Sequence, residues 1–388
     1  MHPVLALALV ILAGIGVTRL SRPSFRHPAL LADLLATGVP FLLLGLLLGP
    51  GLGVVDAAGL RMLQPLVALA IGWTGALFGA RLEWRMVRRI SVRTWLIGAT
   101  LALPVLLVTT VMAWTLARAL PPLTEAWGRP LLPAALVLGG ALTTAASQRG
   151  PRLGRRNALL DTAFGTAAVT VAVALYHPHL ALRSLALTLV AGVTLGGLFV
   201  ALARGGLLSE PREAGIAAFA VILCGAGFSY VAGLSPFVVC GLEASVLVSF
   251  SPAPVRRAVA GVLSLWEGPL YAAFLLVAGA LLRPLTAWLL LAALVLALIR
   301  VLVRWVTVRF GLDQVDPLWR SLPVAPPPEF AYSVIRQGAT AVALAAGFDL
   351  VRGSPGAMLV TVLLGVMAAE AIASLTPLTA SPRPAEVS

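Results

Sequence analysis

The chain has 388 residues, 60% of them hydrophobic and only 11% charged, with a mean hydropathy of +0.98. A soluble globular chain is closer to a quarter charged, so this composition excludes that class and points to one continuous membrane domain that threads a bilayer repeatedly. The net charge of +13 is carried by 28 arginines and no lysine. A basic balance can mark nucleic-acid binding, but these arginines lie in short connections between apolar runs, which argues against that partner.

In chain order, thirteen apolar runs are predicted to span, near 3–19, 33–50, 60–80, 93–117, 130–148, 158–177, 181–203, 213–230, 234–250, 258–282, 285–308, 330–348 and 355–377. Each is close to the length that crosses a hydrocarbon core about 30 Å thick. The first has no basic stretch before it and no small-residue cleavage pattern; Arg19, Arg22 and Arg26 follow it, which suits a retained span rather than a secretory signal. The odd-numbered connections hold 19 arginines and the even-numbered ones 6, counting Arg304 with the eleventh connection. Basic residues mark cytoplasmic loops, so the expected orientation is N-terminus outside and C-terminus inside, in the cytoplasmic membrane. The longest connection, 310–329, contains "VAPPPEF" and reads as an ordered connector. Cys224 and Cys240 are too few for a disulfide framework or a metal site. Trp84, Trp95, Trp127, Trp288 and Trp305 fall near span ends, as an interfacial belt would have them.

Spans four to six and eleven to thirteen are seven apart, an odd offset, so corresponding helices point in opposite directions. That is the plan of inverted-repeat transporters, whose sites lie near the midplane on interrupted helices. The fifth span centres on Gly139, Gly140, Thr143 and Thr144, and the twelfth on Gly338 and Thr340. Small residues let helices approach closely. They also let a helix unwind and present carbonyls and hydroxyls to a cation. Composition leaves both uses open.

Seven stretches carry a family resemblance. "FLLLGLLLGPGLGVVD" (41–56) and "GWTGALFGARLEWRMVRR" (72–89) resemble the early helices of the bacterial monovalent cation/proton antiporters. "LVLGGALTTAAS" (136–147) and "VIRQGATAVALA" (334–345) are similar to that family's two broken helices. "LWEGPLYAAFLLVAGALL" (265–282) resembles a scaffold helix, "VLALIRVLVRWV" (295–306) the helix with an intramembrane base, and "LLGVMAAEAIASLTP" (363–377) the last helix. The matches come in the family's order. The resemblance implies an all-α polytopic membrane protein of about 13 transmembrane helices, with inverted-topology repeats and two crossing broken helices. It implies a core at about 93–177 and 285–377 and a dimerisation scaffold at about 1–80 and 181–282. It further implies a homodimer exchanging a monovalent cation, sodium or potassium, for protons by alternating access. No cofactor is expected, no metal beyond the transported cation, and no enzyme activity, since none of the usual catalytic or phosphate-binding motifs is present.

By the same resemblance the exchanging carboxylate belongs on the sixth span. A lone acid in a bilayer is costly and usually faces a partner or a water-filled cavity. Asp161 takes the first position of the family's acidic pair, and Thr162 stands where a second acid is expected. The matching base on the eleventh span is Arg300, the expected partner of Asp161. Pairing favours the charged acid and burial the neutral one, and an exchanging acid needs both pulls. Thr143, Thr144, Thr162, Gln337, Thr340 and the backbone near Gly338 are expected to supply oxygens or hydrogen bonds. Three readings stay open: Asp161 exchanges ions itself; another carboxylate, Glu243, Glu267 or Glu370, takes that part; or Asp161 and Arg300 form a clamp in a degenerate, non-transporting scaffold or sensor. Arg336 adds a second positive charge near the midplane, which raises the barrier to a cation and would suit an organic-anion transporter of related fold.

Overall fold

A computed structural model describes residues 39–51, 57–145, 152–176, 178–208, 210–280, 286–308, 339–353 and 356–375. These residues form fourteen helices and no strand. They are α1 (Val39–Leu46, continued by a π-helical turn Leu47–Gly51), α2 (Ala57–Arg81), α3 (Trp84–Val87), α4 (Val92–Ala119), α5 (Pro121–Trp127), α6 (Leu131–Thr143) and α7 (Arg152–Tyr176). Then follow α8 (Ala181–Arg204), α9 (Pro211–Val231), α10 (Pro236–Phe250), α11 (Ala253–Ala280), α12 (Ala287–Val306), α13 (Ala339–Arg352) and α14 (Ala357–Leu375). The second to thirteenth expected spans fall on these helices. The first, the 310–329 connector and the start of the twelfth lie outside the described residues.

Local chemistry sets several ends. Ser91 caps α4 by accepting from the Thr94 N–H at 3.3 Å, and Thr286 caps α12 by accepting from Leu289 at 3.4 Å. Proline occupies the first turn of α5, α9 and α10, where its missing N–H costs nothing. Three prolines lie inside long helices: Pro65 in α2, Pro104 in α4 and Pro269 in α11. A helix crossing lipid tolerates such breaks where neighbours satisfy the freed carbonyls.

α6 and α13 are short and buried almost all round, with Pro133–Thr143 and Ala341–Phe348 largely enclosed. A helix apolar on every side belongs in the interior. Longer helices surround them: α6 packs on α4 and α7, α13 on α2, α6 and α14, and α12 on α4 and α14. Elsewhere α2 packs along α10, and α10 along α8. The close approach of α6 to α7 depends on glycine: a Cβ at Gly140 would lie 2.7 Å from the Gly165 carbonyl oxygen.

The outer helices expose long apolar faces, including Leu103, Leu107 and Val111 on α4, Val190 and Val193 on α8, and Leu294, Leu298 and Leu302 on α12. In water such area would drive aggregation; in lipid it is the ordinary surface. Among the described residues six helices are long and apolar enough to cross a membrane, α4, α8, α9 and α12 among them. The protein is a multi-pass membrane protein.

Of the belt tryptophans, Trp84, Trp95, Trp288 and Trp305 are exposed. Trp127 is not: it is 1% exposed, and its indole N–H donates to Thr361 Oγ1 at 3.1 Å, tying α5 to α14. Glu83 pairs with Arg256 at 2.9 Å, bridging the α2–α3 corner to α11. Cys224 and Cys240 are both free thiols.

Candidate functional site

α6 stops inside the bundle. Its run breaks at Thr143, and Thr144 is already extended at φ −61°, ψ 147°, five residues or so before the expected end of the fifth span. The last carbonyls of a helix have no partner within it, and here lipid-spanning helices surround them. α12 supplies the donors. Arg300 and Arg304 are four residues apart and so share one face. Arg300 Nε donates to the Leu142 carbonyl at 2.6 Å, and its Nη2 to the Thr144 carbonyl at 3.2 Å. Arg304 Nη2 donates to the Thr143 carbonyl at 2.7 Å, and its Nη1 to the Leu101 carbonyl of α4 at 3.0 Å. Cations placed at the negative end of a helix dipole are favourably sited.

Asp161, on α7, joins this cluster from the other side. Its Oδ2 accepts from Arg304 Nη2 at 2.8 Å, and neither residue is more than 1% exposed. The ion pair is therefore with Arg304, one turn beyond the expected Arg300, which instead donates from Nε and Nη2 to carbonyls at the α6 end. Arg304 belongs not to the eleventh connection but to the last turn of α12, where it is buried. The signal that would have found it is the spacing of two arginines on one helix face. Asp161 Oδ1 is buried and has no hydrogen-bond partner among the described residues. A buried acceptor without a donor is costly.

The threonines turn their protons away from the site. Thr143 Oγ1 donates to Gly139, Thr144 Oγ1 to Ala141 and Thr162 Oγ1 to Ala158, each at 2.8 Å. A hydroxyl whose proton is committed still has lone pairs to offer a cation. Thr340 is half-buried in the first turn of α13. Arg336, Gln337 and Gly338 lie outside the described residues. Glu370 falls within α14, but its side chain lies outside them too.

The remaining acids are elsewhere. Glu267 is partly exposed, 4.0 Å from Arg81. Glu243, on α10, is fully buried, and neither carboxyl oxygen has a hydrogen-bond partner among the described residues. It packs against Gly225 of α9, in the apolar cluster around Trp73 and Phe199, whereas the Asp161–Arg304 pair joins α7 to α12. Among the described residues no group of three metal-ligating side chains occurs.

The chain shares its fold with a sodium/proton antiporter. A structure of the sodium proton antiporter MjNhaP1 from Methanocaldococcus jannaschii matches it with a TM-score of 0.61, covering 96% of each chain at 14% identity. At that identity the likeness concerns the fold. No family model and no curated protein sequence matches the chain.

Proposed function

We propose that this protein is a secondary active transporter exchanging a monovalent cation, sodium or potassium, for protons by alternating access. The observation that carries the reading is the buried Asp161–Arg304 pair at the point where α6 ends, with Oδ1 of Asp161 left open. Oδ2 stays on the guanidinium while Oδ1 takes either a proton or a cation. The two compete for one atom, so they exchange one for one. Lone pairs of Thr143, Thr144 and Thr162, with Gln337, Gly338 and Thr340, complete the cation's shell. The neighbouring antiporter of the same fold supports this reading.

In this reading residues 93–177 and 285–377 form the moving core, residues 1–80 and 181–282 form the scaffold, and the protein works as a homodimer in the cytoplasmic membrane with its N-terminus outside. Arg300 and Arg304 hold the end of α6 and balance Asp161. Glu243, on α10 in the apolar cluster around Trp73, stands outside the exchanging group.

The test is reconstitution. In proteoliposomes with an imposed pH gradient, adding sodium, potassium or lithium collapses the gradient, and Asp161→Asn abolishes the response. Full exchange by Asp161→Asn would remove Asp161 from the mechanism. The occupied state of Oδ2 favours a second reading, a non-transporting scaffold or sensor in which Asp161 and Arg304 are only a clamp. A folded wild-type protein that gives no cation-dependent proton flux under any gradient would select it.

A further inference from the structure

A second feature lies at the far end of α6, about 18 Å from the ion pair by helical rise. There the C-terminal end of α4, the short α5 and the first turn of α6 line a wide-open surface cleft of about 810 Å³. Trp114, Arg118, Thr124, Arg129, Leu131 and Leu132 are among its lining residues. Arg118 lies over the Trp114 ring at 4.0 Å. Such stacking holds a guanidinium by its face and leaves its edge free to donate. Neither Arg118 nor Arg129 has a carboxylate within ion-pair distance among the described residues. The acid of this segment, Glu125, is exposed and is not part of the lining.

The cleft's depth in the membrane follows from α4. Leu103, Leu107 and Val111 are exposed at four-residue intervals and form one apolar stripe along the helix. The stripe ends at Val111; the next turn brings Trp114 and the one after it Arg118. An apolar stripe, then tryptophan, then arginine is the order met on passing from hydrocarbon to headgroups. Leu132, also exposed, extends the apolar wall on the α6 side.

We propose that this cleft is a binding site for an anionic glycerophospholipid. Its phosphate lies between Arg118 and Arg129, its glycerol lies beside Trp114, and one acyl chain follows the Leu103–Leu107–Val111 stripe. The volume falls within the usual range of small-molecule sites, about 300–1,000 Å³. Two unpaired guanidiniums give the net positive charge that selects an anionic headgroup over a zwitterionic one. The site is independent of the exchange chemistry at Asp161.

Native mass spectrometry of the full chain in detergent tests the assignment, with phosphatidylglycerol titrated against phosphatidylcholine. The wild type retains phosphatidylglycerol preferentially. Arg118→Gln and Arg129→Gln each weaken that retention about fivefold, and the double variant binds the two lipids alike. Both residues are exposed, so the variants keep the wild-type melting temperature, measured alongside. Equal retention of the two lipids by the wild type, or unchanged retention by the double variant, overturns the proposal. Displacement of phosphatidylglycerol by inorganic phosphate at millimolar concentration would make the cleft a free-anion site and overturn it equally.

Discussion

Arg304 spends its guanidinium on three acceptors belonging to three helices: the Leu101 carbonyl of α4, the Thr143 carbonyl of α6 and the Asp161 carboxylate of α7. Removing one partner of a buried pair leaves an uncompensated charge and costs about 3–5 kcal/mol. Arg304→Ala is expected to lower stability by that order, read as a large drop in melting temperature in detergent. Arg304→Lys is expected to recover only part of it, since an ammonium has no planar fork to reach carbonyl and carboxylate together. A small effect of Arg304→Ala would mean that the pair carries little of the local packing. The charge of Asp161 was legible in the sequence, because an acid in an apolar run stands out. Its partner was not. Two arginines four residues apart look alike along a chain, and Arg304 lies close enough to the helix end to pass for a loop residue. Only the packing of α12 against α4 and α6 separates their tasks.

At the scale of elements, α6 has 13 residues, about 20 Å of helix, too short to cross a core of about 30 Å. It works because α12 satisfies its last carbonyls and because glycine lets α7 lie close. Gly140 and Gly165 face each other across that contact. Gly165→Leu places a side chain where there is no room, and overpacking of this kind costs about 1–3 kcal/mol. The expected result is a lower melting temperature together with impaired exchange, since α7 carries Asp161. Unchanged values for both would show that α7 shifts freely against α6. The cluster Gly139, Gly140, Thr143 and Thr144 announced a weak point in the fifth span, and α6 does end there. Trp127 announced an interface position and is instead enclosed against Thr361. Periodicity and composition report where a helix is weak or amphipathic. They do not report which neighbour covers a residue beside a span end.

At the scale of the molecule, the run of apolar segments fixed the class of fold, and the arginine asymmetry between connections survives the reassignment of Arg304 to the last turn of α12. That asymmetry predicts sidedness, which labelling measures directly. In a background with Cys224→Ser and Cys240→Ser, Glu125→Cys is expected to react with an impermeant maleimide in intact cells. Arg89→Cys is expected to react only after the cells are opened. α4, about 42 Å long by its 28 residues, separates the two positions. The reverse pattern would invert the orientation, and reaction of both from one side would remove α4 as a crossing helix. The shared acceptors of Arg304 have a further consequence for motion. One planar group fastened to three neighbours forbids any of them from sliding alone, because each small slip would strip a donor from an oxygen that lipid cannot hydrate. α4, α6, α7 and α12 are therefore moored together at this one side chain, and under the proposed exchange any hinge would lie at the shoreline of that raft.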